Sequence, residues 1–174
     1  MGVELRIRNE SSRKRLYRRD VLTRLLERIL AGESITEESE LSVLFCDDEF
    51  IQELNRQYCN KNRPTDVLSF EQDGLHGQTR RVLGDIVISL ETVESNCESD
   101  ADAMRDEVRL LVCHGALHLL GYDHGSAEEK AVMVEKQAEY LGVSAIAAWD
   151  FASNSKLAGV AGSRRNGEAF SGGR

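Results

Sequence analysis

Apolar and polar residues alternate from the start of the chain. Val3, Leu5 and Ile7 are separated by Glu4, Arg6 and Arg8, the two-residue period of a strand with one buried face. The period then lengthens to that of a helix. Val21, Leu22, Leu25, Leu26, Ile29 and Leu30 form one stripe, Arg24 and Arg28 lie on its polar side, and Gly32 closes it. Residues 41–46 form a second strand. A helix follows from about Glu49 to Tyr58, capped by Asp47 or Asp48, with Phe50, Ile51 and Leu54 inward. A polar loop over 59–63 runs into Pro64, the only proline, and residues 65–70 form a third strand. After a polar loop over 71–81, a fourth strand runs from Val82 to Leu90 with Gly84-Asp85 at its start, followed by a short helix over 91–96. The longest helix extends from Ala101 to Leu120. Its first half is amphipathic (Met104, Val108), and its second half, from Leu110 on, is apolar almost all round. Such a helix is buried on most sides. Ser126-Ala127-Glu128-Glu129 has the form of a capping box, so a last helix starts there and runs to about Leu141, stopping at Gly142.

Four strands and about five helices interleave in one core. The fold class is α+β: a single domain with a mixed four-stranded sheet packed against helices. After Phe151 the composition shifts to Ser, Gly, Asn and Arg. Residues 1–150 are therefore read as the domain, and 151–174 as a Gly/Ser-rich, disordered C-terminal tail.

Charge changes this picture locally. The 174 residues carry a formal net charge of -8, unlike the basic balance of a general nucleic-acid binder. Yet residues 1–30 hold nine Lys/Arg against four Asp/Glu, whereas residues 31–55 hold eight acids and no Lys or Arg. The cluster from Arg13 to Arg19 is either a solvated helix face or a phosphate-contacting surface. Cys46, Cys59, Cys97 and Cys113 contain no Cys-x-x-Cys pair and read as free thiols in a reducing compartment. With no signal sequence and no apolar run long enough to span a membrane, the expectation is a cytoplasmic protein without membrane partners.

The chemistry concentrates in His114-Gly115-Ala116-Leu117-His118-Leu119-Leu120-Gly121-Tyr122-Asp123-His124, where three of the four histidines fall. Positions four apart share a helix face, about 5–6 Å apart at Cβ, so His114 and His118 can grip one ion. Gly121 can adopt the left-handed conformation that ends a helix and let His124 return to the same ion. Three imidazoles with one position open are the donor set of a catalytic zinc site on a central helix, one Zn2+ per chain. The spacing equals that of metzincin proteases, which carry a glutamate base directly after the first histidine. Here that residue is Gly115, which transfers no proton. A ribose hydroxyl can serve as an internal nucleophile in RNA, with cations stabilising charge; Lys61, Arg63, Arg80 and Arg81 are the candidates, the last two alternatively gatekeepers of a strand. Asp123 either hydrogen-bonds a ligand imidazole from behind or caps the turn. Asp85 is either a functional carboxylate or a turn former. His76 reads as solvated and Cys113 as a packed thiol.

The stretch from His114 to His124 resembles the signature of the bacterial YbeY family of endoribonucleases and ribosomal-RNA maturation factors. The resemblance extends to Pro64-Thr65-Asp66-Val67-Leu68-Ser69-Phe70, to Leu83-Gly84-Asp85-Ile86-Val87-Ile88-Ser89 and to Met133, covering about residues 3–141. It implies a zinc on His114, His118 and His124 and cleavage of single-stranded RNA. It also implies maturation of the 3′ end of 16S (small-subunit) ribosomal RNA and ribosome quality control, with the small ribosomal subunit and ribosomal proteins as partners. One position departs from the family pattern: Cys59 stands where the resemblance implies an arginine after Tyr58. Arg56 and Arg63 are the neighbouring cations that could replace it. The alternative readings are a non-catalytic ribosome-assembly factor with a zinc site, or a metzincin-like metallopeptidase lacking its glutamate.

Overall fold

The computed structural model describes residues 2–13, 16–72 and 79–148. Four strands form the sheet: β1 (Val3–Asn9), β2 (Ser39–Cys46), β3 (Val67–Glu71) and β4 (Arg81–Ser89). Their order across the sheet is β1-β2-β4-β3. β1 pairs parallel with β2 and β2 parallel with β4, whereas β3 runs antiparallel along the outer side of β4. Among the described residues five longer helices complete the fold, α1 (Arg19–Gly32), α2 (Asp48–Cys59), α3 (Leu90–Asn96), α4 (Ala101–Leu119) and α5 (Ala127–Leu141), and a single helical turn follows over 145–148. The mixed four-stranded sheet and the helix count agree with the sequence pattern. The expected tail, together with His76, Lys14 and Arg15, lies outside the described residues.

Side chains alternate across the sheet and so build two cores. Leu41, Val43, Phe45, Val67, Ile86 and Ile88 face the apolar stripes of α1, α4 and α5. Cys46, Leu68 and Val87 face the other way, onto Ile51 and Leu54 of α2. α4 is the helix most enclosed by the fold: every residue from Leu110 to Leu119 is buried. That enclosure follows from a segment with no polar side to offer water.

Several boundaries differ from the sequence reading for identifiable reasons. β3 starts at Val67 rather than Thr65 because the Asp66 carboxylate accepts from the Val67 N–H at 2.8 Å, and the Asp66 carbonyl accepts from the Ser89 N–H at 2.9 Å. β4 ends at Ser89, whose hydroxyl accepts from the Thr92 N–H and caps α3, so Leu90 belongs to that helix. Gly84 and Asp85 lie inside β4, not at a turn. Gly84 has φ +140, and a Cβ there would stand 2.2 Å from the Phe70 carbonyl oxygen. Next to it the β2–β4 register slips at Glu40/Leu41. Asp47 is the residue before α2, but its carboxylate accepts from the Ser12 N–H instead of capping the helix. The left-handed residue after α1 is Ser34 (φ 57), not a glycine. Gly32 instead makes room for α5, since a Cβ on it would stand 2.4 Å from the Tyr140 hydroxyl.

Candidate metal centre

α4 delivers His114 and His118 on one face, both buried. The helix then ends in a Schellman turn. The Tyr122 N–H reaches the Leu117 carbonyl at 3.0 Å, the Gly121 N–H reaches the His118 carbonyl at 3.0 Å, and Gly121 adopts φ +98. This is the left-handed position that glycine fills without a Cβ penalty. The reversal carries His124 back, and the nitrogens of His114, His118 and His124 lie within 4.8 Å of one another. The expected cluster is therefore gathered by the geometry the spacing implied. α5 starts beyond it with both halves of the capping box at Ser126 and Glu129 formed.

The hydrogen bonds around the rings test whether the cluster suits a cation. Gln137, fully buried on α5, donates its Nε2–H to the Ala148 carbonyl at 2.7 Å. That bond turns its Oε1 toward His114, where it meets Nδ1 at 2.8 Å. An acceptor at that distance requires His114 Nδ1 to carry the proton. The same holds for His118, whose Nδ1 lies 2.8 Å from the Tyr122 carbonyl. A neutral imidazole has one N–H and one lone pair, so both Nε2 atoms present lone pairs. These two atoms are 2.9 Å apart. Two lone pairs converging at this distance need an electrophile between them, and a third imidazole is adjacent. The donor set fits a borderline-soft divalent ion such as zinc.

The electrostatics agree. Burial first, then the neighbouring imidazoles, push His114 down to about 3, against the opposing effect of the hydrogen bond it donates to Gln137. Burial and then His124 push His118 down to about 4. Both rings are neutral at pH 7 and available as ligands. Gly115 is needed for packing as well: its Cβ would lie 2.9 Å from Cδ1 and 3.0 Å from both γ carbons of Ile86, which is fully buried. α4 lies on β4 at this residue, so any side chain here would have to displace Ile86.

The other sequence candidates are dispersed. Asp123 is exposed, and its carboxylate accepts from the His124 N–H at 2.7 Å. Asp85 shares a sheet face with Val87, away from α4. It accepts from the Gln72 amide, and burial raises it above the ordinary carboxylate range. Cys59 ends α2 and packs beside Tyr58 and Phe70 in the second core, where burial pushes its thiol up. Arg56 is held by Glu53 at 2.6 Å on the exposed side of α2. Arg63 is exposed in the following loop, its carbonyl accepting from Asn55 at 2.8 Å. Arg80 pairs with Glu4 and, at 3.3 Å, with Glu38. Arg81 is exposed at the start of β4. The basic residues before and within α1 also meet acids. Arg13 reaches Glu94 at 2.7 Å, and Arg18 and Arg24 share Asp20.

Sequence reasoning missed Gln137 and Glu33. Gln137 had a signal: it sits between Met133 and Tyr140 at helical spacing, a polar residue within an inward stripe. Glu33 had none, being one acid among many in an acidic stretch.

Comparison with known proteins identifies relatives of the chain. Residues 6–144 match the family described as Endoribonuclease YbeY. The chain is 44% identical to the Endoribonuclease YbeY of Pelotomaculum thermopropionicum over 126 residues, covering 70% of this chain and 83% of that protein. It is 41% identical to the protein of the same name from Lysinibacillus sphaericus over 130 residues, again covering 70% and 83%. Among solved structures, the solution structure of TM1509 from Thermotoga maritima is similar. It has a TM-score of 0.55 at 30% identity and covers 87% of this chain and 93% of that one.

Proposed function

The chain belongs to the Endoribonuclease YbeY family, and from that premise we propose that it is a zinc-dependent endoribonuclease. Its ligands are His114, His118 and His124, and its substrate is single-stranded ribosomal RNA. The observation that carries the metal is the pair of Nε2 lone pairs converging at 2.9 Å, each fixed by an acceptor behind its ring. Held by these residues, zinc would supply positive charge to a phosphodiester oxygen and would acidify a water. The protein contributes neutral imidazoles in fixed tautomers, held by Gln137 and the Tyr122 carbonyl, on a helix too well packed to shift. Gly115 leaves no side-chain base next to the first ligand, which disfavours peptide hydrolysis. Arg81, exposed on β4 three residues from Gly84, where the side chain of Leu119 packs, is the cation we place nearest the RNA.

The place of action we propose is the 3′ end of 16S ribosomal RNA, in the cytoplasm, with the small subunit and its proteins as partners. Among the described residues no helix is long and apolar enough to cross a membrane. One observation favours a second reading, a non-catalytic assembly factor: Cys59, half-buried against the second core, stands where the resemblance implies an arginine. A single experiment separates the two. Zinc-loaded wild type, His114→Ala and Cys59→Arg are assayed on single-stranded RNA. Cleavage by wild type that His114→Ala abolishes supports the nuclease. Cleavage only after Cys59→Arg, or none in any protein that binds zinc, supports the assembly factor.

A further inference from the structure

Glu33 follows the last residue of α1, far in sequence from the histidines, and is largely buried although charged. A charge so placed needs partners, and three converge on it. The Tyr122 hydroxyl donates to Oε2 at 2.7 Å, the Tyr140 hydroxyl donates to Oε1, and Lys136 Nζ lies 3.1 Å from Oε1. Tyr140 and Lys136 come from α5, whereas Tyr122 comes from the turn between His118 and His124. Tyr122 thus has two attachments. Its ring is tied to Glu33, and its carbonyl accepts from Nδ1 of His118.

We infer that Glu33 is a positioning residue of the metal centre, acting through Tyr122 on His118 and on the turn that presents His124. Gly121 ends α4 in a left-handed conformation with nothing within 4 Å of a would-be Cβ, so the turn is not wedged in place at that point. Beyond the two backbone bonds of the Schellman turn, its C-terminal side is held by the Tyr122 side chain. A phenol anchored at its far end fixes its own backbone, and here that backbone carries the acceptor that sets the His118 tautomer. Glu33 is in turn held from two more directions by Tyr140 and Lys136. Gly32 leaves the space that lets Tyr140 lie against the end of α1. The resulting chain runs from Glu33 through Tyr122 to His118. Gln137 does the same for His114 in one step.

The inference rests on the metal reading, and the experiment keeps the two apart. Zinc affinity is measured by competition with a chromogenic chelator, and ligand geometry from the visible absorption of the Co2+-loaded protein. The proteins are wild type, Glu33→Ala, Tyr122→Phe, the double variant and Tyr140→Phe. Outer partners of metal ligands are typically worth 10–100-fold in affinity. Glu33→Ala and Tyr122→Phe are each expected to weaken zinc binding on the order of tenfold, and to alter the Co2+ spectrum. The double variant should be no weaker than either single one, because both remove the same link. Tyr140→Phe removes a different partner of Glu33 and keeps the Tyr122 link, so it should lower thermal stability and weaken zinc binding less than Tyr122→Phe does. Tyr122→Phe changes one oxygen and decides the question even if Glu33→Ala folds poorly. Zinc-binding wild type with unchanged affinity in Tyr122→Phe overturns the positioning role alone, as do additive losses in the double variant. A wild type that binds no zinc overturns the metal reading and the inference with it.

Discussion

Single residues decide which chemistry the centre can host, and Gly115 is the clearest case. Its missing side chain reads in sequence as the loss of a catalytic base. In the structure it is also the contact through which α4 lies on β4, with Ile86 filling the space a Cβ would take. An alanine there would gain about 1 kcal/mol of helix propensity against about 1–3 kcal/mol of overpacking. Gly115→Ala is therefore expected to lose up to about 2 kcal/mol of stability, read from the urea midpoint. Gly115→Glu should fail to fold rather than acquire peptidase activity. The same residue thus excludes the protease route twice, once by chemistry and once by volume.

Elements bring the histidines' partners together, and here the sequence was legible in part. The capping box, the buried second half of α4, the Gly121 stop and the three-histidine cluster all follow from local spacing, which a linear reading captures. Gln137, Glu33 and the position of Asp85 do not. Each depends on which elements become neighbours: α5 beside α4, the end of α1 beside the turn after α4, and β4 central with Asp85 on the far side from the histidines. Asp85 reads as a turn residue because a glycine precedes it. That glycine serves the close approach of β3 within the sheet, a long-range fact with no local signature. The link from α5 can be broken alone. Gln137→Leu keeps the volume and removes the acceptor behind His114, so zinc affinity should fall by roughly 10–100-fold. Because Gln137 also bonds the Ala148 carbonyl, protection of the backbone near Ala148 in hydrogen exchange should drop as well.

At the scale of the whole molecule, charge and metal both couple to stability. Glu107, half-buried on α4, is pushed up to about 7 by burial and then by the Asp66 carboxylate just before β3; its own charge in turn helps raise the Cys97 thiol. The folded protein holds a proton there that the unfolded chain releases near 4.5, so this group makes stability fall as pH rises from about 4.5 to about 7. His114 and His118, pushed down to about 3 and about 4, act the other way over the same range, so the urea midpoint of the metal-free protein should rise with pH below about 6.5, and Glu107→Gln should steepen that rise. Metal adds to stability by binding the folded state and should raise Tm, and His124→Ala should remove most of the shift. The size of that shift has a further determinant. All three proposed ligands lie between His114 and His124, so an unfolded chain, or one still leaving the ribosome, already holds the full set of imidazoles on one short peptide. Metal taken up by that peptide offsets part of the stabilisation, since only the difference in affinity between the two states counts. Folding adds the acceptors that fix the tautomers and the dry surroundings, and these, rather than the ligands themselves, set how much zinc steadies the protein. The eleven-residue segment, synthesised alone, should therefore bind zinc measurably but far more weakly than the whole protein.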